Sequence, residues 1–310
     1  MGKGSGAETE AARKQQHSAS GRRSALIVGI LLGIILGAGA VIAAGPLLDA
    51  VMPVTFASTP PAAAPQPAAR PLAAAAPPVQ LVHVAAGRPV VVGVFGDSLG
   101  DGLWAGLYRQ LPAGDGYQVV RFSRAATGLT RYDYVDVQAE ATRQLASRSI
   151  DVAVVMIGAN DEQGILEGRH ADAFDSPRWH ELYEQRIDAL VGLLRDKSAA
   201  VYWVGLPKMR RTIYDQKAQQ LNAIYEARAR ALGVLFVPTV PVTVDESGGY
   251  NDHLDDGGAH RRLMRATDGI HMTMAGYLRI AAPVSSAIRT DVDRARAAQR
   301  RTTAAAGPRG

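Results

Sequence analysis

The sequence contains no cysteine, which excludes a thiol nucleophile, a disulfide framework and a cysteine-ligated metal centre. The formal net charge of the whole chain is +5, but the middle of the chain has no net positive charge. Residues 1–23 carry +3 and residues 294–310 carry +5, which leaves −3 for residues 24–293. A mildly acidic centre with basic ends does not suit a phosphate backbone, so we predict no nucleic-acid partner.

Charged side chains are missing from one long segment near the start of the chain. Residues 25–44 are consecutive residues without a charge or a strongly polar side chain, and as an α-helix they would span roughly 30 Å, the thickness of a bilayer core. Several basic residues precede this segment, and none follows it until Arg70. By the positive-inside rule we predict a basic cytoplasmic lead at residues 1–24 and a single-pass signal anchor at residues 25–45. The rest of the chain would then lie outside the cytoplasmic membrane.

A cleaved signal peptide is the alternative for the same segment. Residues 25–37 would be its apolar region, and Ala38-Gly39-Ala40 would supply the small residues of a cleavage site. The protein would then be secreted. The long polar lead and the continuation of the apolar run to Ala44 favour the anchor, and both alternatives export the remainder of the chain.

Large apolar residues are scarce in two further segments. Residues 53–86 contain eight prolines and twelve alanines, a composition typical of an extended linker. The Ala- and Arg-rich residues 293–310 have no apolar stripe, so we predict a disordered basic tail there. Residues 87–292 remain as the single folded domain.

Strand-like and helical patterns alternate along this domain. Several of the strand-like runs are continuously apolar, which is typical of a parallel sheet covered on both faces. The sequence therefore predicts a three-layer α/β/α domain with about five parallel strands. The predicted strands are residues 89–95, 118–122, 151–157, 200–205 and 234–238, and the predicted helices are about residues 99–111, 136–147, 177–196, 213–232 and 274–292.

Residues suited to acyl transfer follow the ends of these strands, where ligands bind in open α/β sheets. Ser98 follows the first strand in Gly96-Asp97-Ser98-Leu99, Gly128 follows the second, and Asn160 follows the third. Asp268 and His271 come after the fifth strand and a longer excursion. A serine at such a corner is also typical of a helix N-cap, so the combination of loops, rather than Ser98 alone, carries the prediction.

Together these residues can perform every role that serine catalysis needs. Ser98 can attack a carbonyl carbon, His271 can take the proton and return it, and Asp268 can orient the imidazole. The Ser98 N–H, the Gly128 N–H and the Asn160 side-chain amide can stabilise the oxyanion. This chemistry requires neither a cofactor nor a metal ion, and we predict none.

The same blocks resemble those of the SGNH hydrolases, the GDSL-type esterase superfamily. Ser98 stands in G-D-S-L, Gly128 in the glycine block, Asn160 in G-x-N-D, and Asp268 and His271 in D-x-x-H. The resemblance covers about residues 89–290, and several runs of this chain look like those of an exported bacterial subgroup. It implies a flavodoxin-like fold and an acyl-serine mechanism, and the superfamily includes esterases, lipases, thioesterases, carbohydrate acetylesterases and envelope O-acetyltransferases. The usual Asn two residues before the glycine is replaced by Ala126, which affects the second oxyanion donor.

Four further residues on the same rim are candidates for binding substrate: Asp97, Arg131, Lys208 and Arg210. Arg131 lies near the glycine block, as does Arg124, while Lys208 and Arg210 follow the fourth strand. For these cations a solvated loop is an equal alternative to an anion-binding role.

Acidic and histidine residues are also concentrated at positions 252–260. They surround Asp256-Gly257-Gly258, which is a turn signal, so we predict an exposed hairpin rather than a metal site.

We therefore expect a membrane-tethered serine esterase that acts on an ester-bearing small molecule or an envelope glycan. The location favours a small acyl group on a cell-envelope polysaccharide or peptidoglycan. The alternative within enzymology is an O-acetyltransferase, in which a glycan hydroxyl intercepts the acyl-enzyme. With a single apolar span the chain could not move an acyl donor across the membrane, so a transferase would need an envelope acyl-transfer partner. The alternative of another class is an inactive glycan-binding module, which would not need the complete set of catalytic residues.

Overall fold

The computed structural model describes residues 78–197, 199–255 and 260–305. The predicted cytoplasmic lead, the signal anchor and most of the linker lie outside the described residues. Every helix within them is too short or too polar to cross a bilayer.

The five strands of the main sheet alternate with α-helices as the sequence predicts, and four short strands lie in the connections. The elements are β1 (Val90–Gly96), α1 (Ser98–Gln110), β2 (Tyr117–Arg121), α2 (Val137–Gln144), β3 (Val152–Met156), β4 (Ile165–Glu167), β5 (His170–Asp172), α3 (Pro177–Asp196), β6 (Ala200–Val204), α4 (Thr212–Leu232), β7 (Leu235–Val237), β8 (His253–Asp255), β9 (Arg261–Leu263) and α5 (Met274–Ala305).

The main sheet has five parallel strands in the order β2-β1-β3-β6-β7, which confirms the predicted parallel sheet. Counting only its own strands, this is the flavodoxin-like order 2-1-3-4-5. Every residue of β3 and β6 is buried, because helices cover both faces of these central strands. Their continuous apolar runs follow from this double coverage.

The helices form two groups on opposite faces of the sheet. Helix α1 packs against α5, whereas α3 contacts both α2 and α4. The strand order reverses direction after β2, so right-handed crossovers place α1 on one face and α2, α3 and α4 on the other. Helices α1 and α5 approach closely, since a Cβ added at Gly102 would lie 1.9 Å from the ring of Tyr277. This contact matters for the site, because Ser98 begins α1 and His271 lies just before α5.

Two predicted boundaries of the domain are wrong. The linker ends before residue 86, because Val82 is buried in the core and Gln80 Nε2 donates a hydrogen bond to the Gly233 carbonyl at 3.2 Å. The disordered tail predicted from residue 293 is instead helical through Ala305. Alanine and arginine are strong helix formers, and α5 is already anchored by packing on α1, so the helix continues beyond its last buried turn.

Two antiparallel hairpins stand apart from the main sheet. The β8–β9 pair confirms the hairpin predicted around residues 252–260. The β4–β5 pair lies in the connection between β3 and α3 and was not predicted, because its strands are only three residues long and mostly exposed.

Candidate active site

Ser98, His271 and Asp268 form a continuous chain of hydrogen bonds at the carboxyl edge of the sheet. Ser98 Oγ lies 2.7 Å from His271 Nε2, and His271 Nδ1 lies 2.6 Å from Asp268 Oδ2. Ser98 and His271 are partly exposed. The serine hydroxyl is therefore in contact with a base whose other ring nitrogen is bound to a carboxylate, which is the arrangement that activates a serine.

The Asp268 carboxylate is held by the loop that carries the histidine. Oδ1 accepts hydrogen bonds from the backbone N–H groups of Ile270 at 2.8 Å and His271 at 3.0 Å. Partial burial acts to raise the pKa of Asp268, but the His271 ring and these two N–H donors outweigh it and lower the pKa to about 2. Asp268 is therefore ionised at neutral pH and fixes Nδ1 as the protonated nitrogen, which leaves Nε2 free to accept the serine proton.

The N-cap of α1 is Asp97, which corrects the prediction that Asp97 binds substrate. Its Oδ1 accepts the Leu99 N–H at 2.8 Å, and its Oδ2 accepts the N–H groups of Gly158 at 2.9 Å and Ala159 at 2.8 Å. The side chain is completely buried and cannot touch a ligand. Burial outweighs the three donors and raises the pKa of Asp97 to about 6. Asp97 thus ties the loop after β1 to the loop after β3.

Ser98 is consequently the first residue of α1 rather than its cap. The preceding corner requires glycine, since Gly96 has a φ of +142° and a Cβ there would lie 1.8 Å from the Met156 carbonyl oxygen. This close approach of the paired strands β1 and β3 precedes Ser98, which lies at the N-terminal end of α1, where backbone N–H groups are unpaired.

A second buried carboxylate, Asp161, joins the loop after β3 to the glycine block. Its Oδ1 accepts from the Thr130 N–H at 3.0 Å and the Thr130 hydroxyl at 2.8 Å. Its Oδ2 accepts from the Leu129 N–H and the Tyr183 hydroxyl, both at 2.9 Å. Burial raises the pKa of Asp161 despite these donors. The sequence signal for this linking role is the place of Asp161 in the G-x-N-D block.

The three predicted oxyanion donors lie on the loops that these carboxylates hold together. Within the described part of the chain, neither the Ser98 N–H nor the Gly128 N–H donates a hydrogen bond. Asn160 Nδ2 donates to the Thr127 carbonyl at 2.8 Å, which leaves its second amide proton for a ligand. Gly128 must be glycine, because a Cβ there would lie 2.2 Å from Asp161 Oδ1.

Ala126 has a left-handed backbone, with φ +62°. Asparagine tolerates this conformation better than alanine. The Asn that SGNH hydrolases usually carry at this position would therefore fit the left-handed turn, in addition to offering a side chain to a ligand. Alanine at this position therefore costs the loop some strain.

The three candidate cations are in different surroundings. Lys208 Nζ is bound to Asp215 Oδ2 at 2.6 Å, so the ammonium already has a carboxylate partner. Arg210 lies against the loop of the histidine, where its backbone N–H donates to the Gly269 carbonyl at 3.2 Å. The Arg131 guanidinium lies 5.3 Å from the ring centre of Tyr134 and has no carboxylate partner among the described residues.

Sequence reasoning missed Arg265, a buried side chain that binds the loop between Asp268 and His271. Its side chain is 1% exposed and has no carboxylate partner within the described residues. One guanidinium nitrogen donates to the carbonyls of Gly269 at 3.0 Å and Ile270 at 3.2 Å. Arg265 therefore fixes the backbone between Asp268 and His271, and no motif or periodicity pointed to it.

Solved structures similar to this chain include several enzymes that act on esters. A GDSL-like lipase from Bacteroides thetaiotaomicron is 19% identical, with 65% of this chain and 88% of that chain covered at a TM-score of 0.47. The acetyl xylan esterase AlAXEase is 16% identical, with 64% and 100% covered at 0.47. A variant of the Axe2 acetyl-xylooligosaccharide esterase from Geobacillus is 16% identical, with 65% and 95% covered at 0.46.

A comparison with curated proteins gives no match. A family comparison matches residues 91–287 to the family described as "Protein of unknown function (DUF459)". The match includes all four blocks, from Ser98 to His271, and extends over most of the chain. The chain therefore belongs to the DUF459 family.

Proposed function

We propose that the protein is a serine esterase that hydrolyses its substrate through an acyl-Ser98 intermediate. The observation that carries the proposal is the chain of hydrogen bonds from Ser98 Oγ through His271 to Asp268, with distances of 2.7 and 2.6 Å. Both lie in the range of direct hydrogen bonds between a nucleophile, its base and the group that orients the base.

In the first half of the reaction, Ser98 Oγ attacks the ester carbonyl carbon while His271 Nε2 takes the hydroxyl proton. The imidazolium that forms is stabilised by the Asp268 carboxylate, which stays ionised. Negative charge develops on the carbonyl oxygen, and the Ser98 N–H, the Gly128 N–H and the Asn160 amide donate to it. His271 then protonates the alcohol oxygen, and the bond between this oxygen and the carbonyl carbon breaks. The carbonyl double bond re-forms, which gives the acyl-enzyme and the free alcohol.

In the second half, His271 Nε2 takes a proton from water, and the hydroxide attacks the acyl carbon. The same three donors hold the second oxyanion, and the Ser98 oxygen leaves with the proton from His271. The products are a carboxylic acid and free enzyme. If a glycan hydroxyl replaced water, the same residues would perform acyl transfer, so the two reactions differ only in the acceptor.

The substrate that we propose is a small acyl ester on a cell-envelope polysaccharide or peptidoglycan. Two features of the sequence support it, namely the apolar residues 25–44 and the Pro- and Ala-rich segment that follows them. They suit a domain tethered outside the cytoplasmic membrane, where polymers of this kind are within its reach.

The proposal is tested by treating the purified full chain with a fluorophosphonate and mapping the labelled peptide. We expect labelling at Ser98, which should disappear in Ser98→Ala and persist in Ser286→Ala, a control at an exposed serine of α5. Hydrolysis of p-nitrophenyl acetate should follow the same pattern. Unlabelled Ser98, together with equal hydrolysis by Ser98→Ala, would refute the esterase. Acyl transfer to added glycan in preference to water would instead identify a transferase.

A further inference from the structure

Two arginines, Arg124 and Arg131, flank the glycine block on the rim of the candidate site. The Arg124 N–H donates to the Gly96 carbonyl at 2.8 Å, and the Arg131 N–H donates to the Gly128 carbonyl at 3.2 Å. Their backbones are thus fixed to the corner before Ser98 and to the residue that offers an oxyanion donor. Both side chains begin close to the reacting centre.

The two guanidinium groups converge on one aromatic ring. The Arg124 guanidinium carbon lies 5.5 Å from the ring centre of Tyr134, and that of Arg131 lies 5.3 Å from it. The two cations are therefore no more than about 11 Å apart, and each is in the range of a cation–π contact. We call Arg124, Arg131 and Tyr134 the arginine–tyrosine patch.

Neither arginine is neutralised by a carboxylate in the described part of the chain. Ten other arginines there form ion pairs, but Arg124 and Arg131 form none. The neighbouring acidic groups have other roles, since Asp161 is buried and saturated by donors and Asp136 caps α2. Asp133, next to Tyr134 in the sequence, makes no ion pair with either arginine. Each guanidinium therefore keeps donors for a ligand.

We propose that the arginine–tyrosine patch binds an anionic group carried by the alcohol portion of the ester substrate. The proposal rests on the proposed esterase function and narrows its substrate class to esters of anionic glycans. A guanidinium group presents paired N–H donors that match a carboxylate or a phosphate, and stacking on Tyr134 holds both groups in place before binding. The anion could be a uronate carboxylate or a phosphate of the polymer, because both share this chemistry.

Binding is tested first without turnover, on full-chain Ser98→Ala. The probes are 4-acetoxybenzoate, 4-acetoxyphenyl phosphate and the neutral methyl 4-acetoxybenzoate, measured by calorimetry at low salt. We expect the anionic probes to bind about tenfold more tightly than the neutral one, since each exposed charge pair contributes up to about fivefold. Arg124→Gln/Arg131→Gln in the same background should abolish this preference, and 1 M NaCl should do so without any mutation.

The matched control is Arg300→Gln/Arg301→Gln, which removes the same charge from the exposed end of α5. It should leave the preference unchanged. Equal binding of neutral and anionic probes, or equal loss in both double variants, would overturn the anion site. A preference for the phosphate probe would identify phosphate as the polymer's anion, and a preference for the carboxylate would identify a uronate.

Measurements of ester hydrolysis distinguish a wrong assignment of the anion site from a wrong assignment of the esterase function. In the Ser98-containing protein, Arg124→Gln/Arg131→Gln should lower kcat/KM for the anionic esters about tenfold, mainly through KM, and change that for the neutral ester by less than twofold. Equal losses for both esters would overturn the anion site but not the esterase. A preserved anion preference in binding, with unlabelled Ser98, would refute the esterase and retain an anion-binding surface.

Discussion

Replacement of Gly128 by alanine should damage the oxyanion donors and the fold together. The new Cβ would lie 2.2 Å from Asp161 Oδ1, whereas a carbon and an oxygen normally stay about 3.3 Å apart. The loop or the carboxylate must therefore move by about 1 Å. Oδ1 accepts from the Thr130 N–H at 3.0 Å and the Thr130 hydroxyl at 2.8 Å, and a shift of this size breaks both hydrogen bonds.

The magnitude follows from the kind of bond that is lost. A hydrogen bond to a charged group contributes about 1.5–3 kcal/mol, so two of them, with partial relaxation, correspond to about 3 kcal/mol of unfolding free energy. Displacement of the Gly128 N–H removes an oxyanion donor and should lower kcat about 10²-fold or more. Urea denaturation and hydrolysis of p-nitrophenyl acetate measure the two effects.

The control for this prediction is Gly192→Ala in α3, where an added Cβ has no heavy atom within 4 Å. It should leave kcat unchanged and raise the unfolding free energy by up to about 1 kcal/mol, since alanine is the better helix former. If Gly128→Ala matched Gly192→Ala in both assays, the account of Asp161 holding the glycine block would be wrong. A double-mutant cycle with Asp161→Ala should show a large coupling, because the two changes act on one contact.

Further predictions concern the loops around the site. Asp268→Asn should slow fluorophosphonate labelling of Ser98 about 10³-fold at pH 7, and equal labelling rates would contradict the role of Asp268. The folded pKa of Asp268 is lowered to about 2, so the stability that it supplies to the wild-type protein should be complete above pH 4 and lost as the pH falls through about 2. Ala126→Gly should raise the unfolding free energy by about 0.5–1 kcal/mol by relieving the φ of +62°, whereas Ala125→Gly, where φ is not positive, should lower it. The folded pKa of Asp97 is raised to about 6, so its stabilising contribution is fully present below pH 4 and is lost as the pH rises through 6. The stability of the wild-type protein, measured relative to Asp97→Asn, should therefore fall by about 3 kcal/mol between pH 4 and pH 7, and parallel pH profiles of the two proteins would exclude this.

The main sheet could be predicted from the sequence because its central strands are buried on both faces. Double burial leaves continuous apolar runs such as that of β3, and the five runs alternate with helical patterns. The β4–β5 hairpin left no such pattern, because three-residue strands with exposed side chains need no apolar periodicity. The predicted start of the domain was wrong because amino-acid composition does not show which side chains of a Pro- and Ala-rich segment are buried. Val82 lies in such a segment and packs in the core.

The positions of Ser98, Gly128, Asn160, Asp268 and His271 at one rim followed from their places after successive strands. Their catalytic roles remain predictions. The supporting residues could not be found in this way. Asp97 and Arg265 act through backbone groups that come close only in the folded chain, and neither residue type nor spacing distinguishes such a contact from an exposed charge.

For the proposed esterase, the packing of α1 on α5 also determines when activity can begin during synthesis of the chain. Ser98 and His271 are separated by 173 residues, and the second of them belongs to the final segment of the domain. A nascent chain therefore carries Ser98, the proposed nucleophile, through most of translation without His271, the proposed base, beside it. The site is assembled only after the last helix has emerged and docked on the first, which are the most distant helices of the domain in sequence. An incomplete chain would have no activated serine with which to attack esters in the compartment where it is made.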